Sequence, residues 1–248
     1  MKNAAIASFL SDLAFVYIQQ GRYADAERTD LRIIELRRKA GGRGGDLYAR
    51  AALADVYERQ GQHAKAEVTM QDVLRRAEQL RAARALGARR VHWGGYRDTL
   101  LPSVRRLIDR IERTLRVVRP DFIFVNYPED THQDHRQVAR AAVSATRYAR
   151  NVLFYEGPTT VDFTPTVFID IADEFEQKLQ ALRRHRSQVL KTRIEGTAIC
   201  EIAEASAHFR GVQARVRWAE GFTPLRLFIN ITGVPARFGR PRRRPGRR

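Results

Sequence analysis

A block of residues recurs at a fixed offset of 40: Leu13-Ala14, Tyr17, Gly21 and Ala26-Glu27 return as Leu53-Ala54, Tyr57, Gly61 and Ala66-Glu67. In each copy the Leu, the Tyr and the later Ala share one helical face, and the Gly falls where a first helix should stop. The pattern predicts helix, tight turn, helix, twice over, with Ala26 and Ala66 small enough to let paired helices approach closely. The glycine-rich run Ala40-Gly41-Gly42-Arg43-Gly44-Gly45 separates the copies. A generic antiparallel helical pair with no partner fits these residues as well. Two repeats fall short of the roughly three that bury a continuous core, so something must cap them. A helix from about Val68 to Leu86, free of Gly and Pro, is expected to do so as an element shared with the following region.

The hairpins resemble tetratricopeptide (TPR) repeats in a longer-period form, assigned to residues 1–74. The resemblance implies a surface for a protein partner.

From Ala88 the pattern changes to short apolar runs alternating with longer helical ones. Arg90–Trp93, Asp121–Asn126, Asn151–Tyr155 and Thr166–Ile171 read as strands, continuous enough in apolar character to suggest burial on both faces. Helices are expected near Pro102–Val118, His135–Tyr148, Ala172–Thr192 and Thr197–Arg215. This alternation predicts an α/β fold: an incomplete doubly wound, mainly parallel, Rossmann-like sheet over residues 75–234. Losing strands from such a sheet bares an edge and the apolar face beneath it, which the helix at Val68–Leu86 is expected to cover.

Open α/β sheets place their chemistry beyond the carboxyl ends of the strands. The loop after Val125-Asn126 reads Tyr127-Pro128-Glu129-Asp130-Thr131-His132-Gln133-Asp134-His135, two imidazoles and three carboxylates together. Imidazole and carboxylate are natural ligands of divalent ions, and a His also serves as an acid or as a donor to a developing oxyanion. A capping box from Thr131 to Asp134 at the start of the next helix accounts for those two residues without any ligand. It leaves the two histidines unexplained.

His132-x-Asp134-His135 after this strand resembles the second motif of the LmbE/PIG-L deacetylases. Further matches follow in that family's order: Leu86-Gly87 with Val91–Asp98, then Leu153–Glu156, then Lys178 through His185-x-Ser187-Gln188, then Ala219–Phe222. The similarity runs from about Arg75 to Phe228. It implies hydrolysis of an N-acetyl group on a glucosamine-like substrate, with zinc as cofactor. By resemblance His135 is a zinc ligand, His132 donates to the oxyanion and Asp134 orients a histidine. The family's first motif, Ala-His-Pro-Asp-Asp-Glu, has no counterpart here, so the implied zinc site is incomplete. Glu129, Asp130, Asp98 and His92 are the candidates to support it. The alternative is a catalytically inactive interaction module, with the helical repeats binding a partner and the α/β part a degenerate remnant.

The formal net charge is +17, yet Lys occurs only at positions 2, 39, 65, 178 and 191, so all but five of the 45 basic residues are Arg. Arginine dispersed this widely argues against a dedicated nucleic-acid site, although polyanions should adhere at low salt. Residues 235–248 have no apolar periodicity and are expected to form a disordered basic tail. One cysteine, Cys200, permits no internal disulfide and reads as a small buried hydrophobe, with cytoplasmic location the expectation. No secretory leader and no bilayer-spanning run are expected from this sequence. His63 and His208 read as surface or packing residues, and His185 as a solvated helix position or a lining of the substrate crevice.

Overall fold

The structure is a computed structural model, and it describes residues 2–40, 45–96, 99–192 and 194–229. The expected tail and most of the glycine-rich run lie outside them. In chain order the elements are α1 (Lys2–Gln19), α2 (Tyr23–Ala40), α3 (Leu47–Arg59), α4 (His63–Ala85), α5 (Val104–Val118), β1 (Ile123–Asn126), α6 (Gln133–Ala145), β2 (Val152–Tyr155), β3 (Val167–Asp170), α7 (Phe175–Arg183), α8 (Ile199–Ala214) and β4 (Ala219–Arg226). Two compact units result, one of residues 1–93 with 170–219, the other of residues 94–169 with 220–248.

In the first unit the repeated sequence becomes repeated geometry. Gly21 and Gly61 both take φ +70°, a left-handed conformation that costs a side-chain-bearing residue energy. Their turns use the same bonds: Arg22 N donates to Tyr17 O at 2.9 Å, and Gln62 N to Tyr57 O at 2.8 Å. The chain therefore reverses twice, packing α1 on α2 and α3 on α4, while α2 also meets α3. Ala7, Ala14, Ile33, Leu36 and Ala49 form the buried cluster of these helices. Ala26 is fully buried, as the close approach of helices requires.

Helix α4 has two packing partners within this unit. It completes the second hairpin and also packs against α7. Its buried Glu78 accepts hydrogen bonds from Ser187 N at 2.8 Å and Ser187 Oγ at 2.7 Å. Burial alone would raise the Glu78 carboxyl, but the Ser187 donors and the positive surroundings of His185 and Arg81 hold it below the usual range. Phe175 and Trp218 stack at 4.2 Å beside Leu179 and Ala207, with Cys200 partly buried against them. The strand expected at Arg90–Trp93 does not form. Left-handed glycines bracket the segment at Gly87 and Gly95, and Trp93 carries the Arg76 guanidinium 4.7 Å above its ring instead of joining a ladder.

The sheet runs in the order β1-β2-β4-β3. The pair β1 and β2 is parallel, but β4 enters antiparallel to β2, so the sheet is small, open and mixed where a mainly parallel one was expected. Pro224 lies in β4 opposite Leu153, next to a register shift, which is where a residue without an N–H is tolerated. Strand β2 is buried on both faces. One face of the sheet packs Val125, Val152 and Phe154 against Ala139 and Ala142 of α6 and Ile111 of α5. Burying a side chain of that size contributes roughly 1.5–3 kcal/mol. Phe122 and Phe124 are each 48% exposed, and the Phe124 ring packs against Phe222 of β4 at 5.3 Å.

Candidate active site

The packing of β1 and α6 fixes both ends of the loop from Tyr127 to His132. Tyr127 N donates to Tyr155 O at 2.9 Å, extending the β1–β2 ladder by one residue. Asp130 pairs with Thr160 in an isolated antiparallel bridge, and Thr131 N and Oγ1 both donate to Thr159 O. Asp130 is thereby turned inward and is 3% exposed.

Four donors meet its carboxylate. His132 N reaches Oδ1 at 2.7 Å, while His135 Nδ1 and Thr160 Oγ1 each reach Oδ2 at 3.1 Å. A Thr159 side-chain bond is the fourth. Burial pushes the Asp130 carboxyl up, but these bonds outweigh burial and hold it below the usual carboxylate range. Asp130 is therefore an anion that only accepts, so the proton of a neutral His135 ring lies on Nδ1 and its Nε2 carries a lone pair.

His132 takes the opposite tautomer. It is the N-cap of α6, and its Nδ1 accepts from Asp134 N at 3.3 Å. The neutral ring then carries its proton on Nε2. The two imidazoles stack at 4.6 Å with 26° between their planes. The stacked pair thus has an Nε2 donor on one ring and an Nε2 acceptor on the other.

This arrangement changes two expected roles. The N-cap is His132, not Thr131, because Thr131 is committed to Thr159. The carboxylate that orients a histidine is Asp130, not Asp134. Asp134 acts on His132 through its backbone, while its side chain accepts from Thr99 N at 2.8 Å. Gln133 Nε2 closes the same clamp by donating to Thr99 O at 3.0 Å. Thr99 has φ +63°, strain that such a clamp can hold. Glu129 is exposed and uses its carbonyl to accept from Val161 N. Asp98 lies outside the described residues, and His92 is exposed in the other compact unit. Of the remaining histidines, His63 pairs with Glu58 at the surface, His208 lies edge-on to Trp218, and His185 is half-buried.

Two participants carried no sequence signal. Thr160 reaches Asp130 from thirty residues away, and Tyr155, whose hydroxyl burial pushes up, bonds Asn126 at the matching end of β1. A zinc site needs about three protein donors. Among the described residues no group of three His, Cys, Asp or Glu side chains is placed to hold a metal. His135 offers one ligand nitrogen, and the described residues do not by themselves fit the zinc site that the resemblance implies.

The His-x-Asp-His motif follows a sheet strand in an α/β unit, and comparison with known proteins places the chain. The sequence profile of the PIG-L family, GlcNAc-PI de-N-acetylase, matches residues 11–146. The chain belongs to the PIG-L/LmbE deacetylase family. The matched span starts inside α1, so it takes in residues that the sequence reading assigned to tetratricopeptide-like repeats.

Among curated relatives, the diacetylchitobiose deacetylase of Thermococcus kodakarensis is 29% identical over 45% of this chain and 48% of its own length. A probable N-acetyl-alpha-D-glucosaminyl L-malate deacetylase 2 of Bacillus cereus is 30% identical over 57% of this chain and 69% of its own. The structure of N,N'-diacetylchitobiose deacetylase from Pyrococcus horikoshii matches with a TM-score of 0.54 and 26% identity, over 63% of this chain and 65% of that one. The chain thus spans about half the length of the first of these relatives. Among the described residues no helix is long and apolar enough to cross a membrane.

Proposed function

We propose that this chain carries part of an N-deacetylase centre for N-acetylated amino sugars. His132 donates to the amide oxygen, and His135 offers one ligand nitrogen to a divalent ion that the described residues do not complete. The paired, opposite tautomers of His132 and His135 support this reading. As a nucleophile adds to an acetyl carbonyl, negative charge gathers on its oxygen, and a preset N–H donor there is worth about 2.7–4 kcal/mol. Asp130 keeps the neighbouring ring from competing for that role, because it holds the His135 proton on Nδ1. Relatives named for diacetylchitobiose and N-acetylglucosaminyl malate favour this substrate class.

Titration of the full chain with N-acetylglucosamine or glucosamine, followed by imidazole NMR, tests the reading. The acetylated sugar should shift the His132 Nε2–H signal, and His132→Ala should abolish its binding. Equal responses to both sugars, or binding indifferent to His132, would overturn it.

A second reading rests on Phe9 and Phe15, which α1 leaves 70% and 61% exposed. Exposed aromatic rings on a helical hairpin suit a protein partner. A partner that co-purifies with the full chain and is lost in a Phe9→Ser, Phe15→Ser variant supports it; one retained by that variant does not.

A further inference from the structure

Along the sequence the arginines are dispersed and mark no dedicated site, but the fold gathers three of them with two aromatic rings around one cleft. That cleft, of about 430 Å³, is lined chiefly by Arg147, Tyr148, Arg150, Arg226 and Phe228. Ala149 and Leu227 complete the lining, so no carboxylate belongs to it. It lies where β2 begins and β4 finishes, whereas His132 and His135 follow the opposite, carboxyl end of β1. A second cleft of about 380 Å³ adjoins it through Arg147, Tyr148 and Ala149, and Leu115, Pro120 and Ile123 supply its apolar wall.

The two rings are held in place without being buried. Tyr148 is 89% exposed and Phe228 56%. Phe228 N donates to Asn151 Oδ1 at 2.7 Å, and Asn151 is itself tied down, its Nδ2 donating to Asp121 O at 3.0 Å. The Arg147 guanidinium lies 5.0 Å from the centre of the Tyr148 ring, and that of Arg150 lies 5.5 Å from the centre of Phe228. Each ring face is thus set beside a positive charge.

That charge is largely uncancelled. Arg226 donates to Ala149 O at 3.0 Å and to Thr146 O at 2.5 Å, neutral acceptors that leave its charge standing. Glu112 pairs with Arg147 at 2.7 Å and with Arg116 at 3.6 Å, and it is the one carboxylate against four guanidinium groups in the lining of the two clefts. In sequence, residues 230–248 add seven Arg and no Asp or Glu directly after Ile229.

Positive charge selects an anion, and exposed ring faces select a flat aromatic group beside it. A chain of bases and phosphates offers both in alternation, and a single strand leaves its base faces open to stacking where a duplex hides them. We infer that this cleft binds single-stranded nucleic acid, with bases stacked on Tyr148 and Phe228 and phosphates drawn to Arg147 and Arg150. The inference stands apart from the deacetylase reading, since no residue is shared with the histidine pair.

The probe is a fluorescently labelled ten-nucleotide thymidylate strand titrated into the full chain, beside inorganic polyphosphate and a glutamate decapeptide as anions without bases. The strand should bind at least tenfold more tightly than either. Tyr148→Ala removes an exposed ring and no charge, so it should weaken strand binding by about fivefold or more while the unfolding temperature and the salt dependence stay as they were. Arg150→Gln should flatten the fall of log K with log salt by about 0.7, the loss of one phosphate contact. In the unaltered protein the strand should shift the Tyr148 and Phe228 ring signals upfield, a readout that needs no variant.

Affinity for polyphosphate equal to that for the strand would overturn the inference as charge adhesion alone, and equal affinity for the glutamate peptide would overturn it in favour of an acidic protein segment. Strand binding that ignores Tyr148→Ala and leaves both ring signals unmoved would overturn it too, as would a salt dependence untouched by Arg150→Gln.

Discussion

Asp130 Oδ2 accepts from His135 Nδ1 at 3.1 Å, from inside the protein, while the His135 ring stays partly exposed. A buried carboxylate that fixes the tautomer of a partly exposed imidazole is the arrangement that supports metal-ligating histidines. Asp130→Ala should leave His132 N, His135 Nδ1 and Thr160 Oγ1 without their acceptor and cost about 1–3 kcal/mol. The folded-state pKa of Asp130 is lowered, so its contribution is full above its unfolded pKa and fades as pH falls through the folded one. Urea midpoints of wild type and Asp130→Ala should differ at pH 7 and converge in acid.

Asp30 has the opposite sign. It is 2% exposed in α2, its Oδ2 lacks a partner, and burial pushes it up to about 7. An acid whose folded pKa is raised costs nothing below its unfolded pKa near 3.8 and destabilises increasingly as pH climbs toward 7. Asp30→Asn should stabilise the chain at pH 8 by about 1–3 kcal/mol and change little at pH 4. Equal midpoints for the two proteins at pH 8 would contradict the assignment.

Glu78 and Ser187 join residues 109 positions apart. Glu78→Ala strands two donors and should lower stability by about 1–3 kcal/mol, whereas Ser187→Ala removes one partner's hydroxyl and should cost less. Because the Glu78 pKa is lowered, this difference belongs above its unfolded pKa and disappears with acid. Thermal unfolding of both variants at pH 7 and pH 3 checks the order and the trend.

The two hairpins make a matched pair for a backbone test. A Cβ at Gly21 or at Gly61 meets nothing within 4 Å, so only the positive φ opposes it. Gly21→Ala and Gly61→Ala should each cost about 1 kcal/mol, and by similar amounts. Calorimetry showing one variant neutral and the other severe would break the equivalence of the hairpins.

These residues also mark what the sequence discloses. The turns at Gly21 and Gly61 were legible because a repeat with glycine at its break leaves few alternatives. The strand, loop and helix around His132 and His135 were legible from apolar runs and a clustered motif. The partner of His135 was not, because the choice between Asp130 and Asp134 is made by Thr160, which only the folded chain brings near. Strand β4 was hidden for a different reason: Pro224 argues against a central strand, and the register shift that admits it is a tertiary feature. The segment at Arg90–Trp93 had the apolar character of a strand, but its flanking glycines and the Arg76–Trp93 stack took it elsewhere.

The account stands on two neighbouring imidazoles holding opposite tautomers. Long-range proton–nitrogen correlation of the histidine rings in the full chain at neutral pH measures this directly. Protonated Nε2 with bare Nδ1 at His132, and protonated Nδ1 with bare Nε2 at His135, is the predicted result. The same tautomer at both rings, or a His135 ring unaffected by Asp130→Ala, would contradict it.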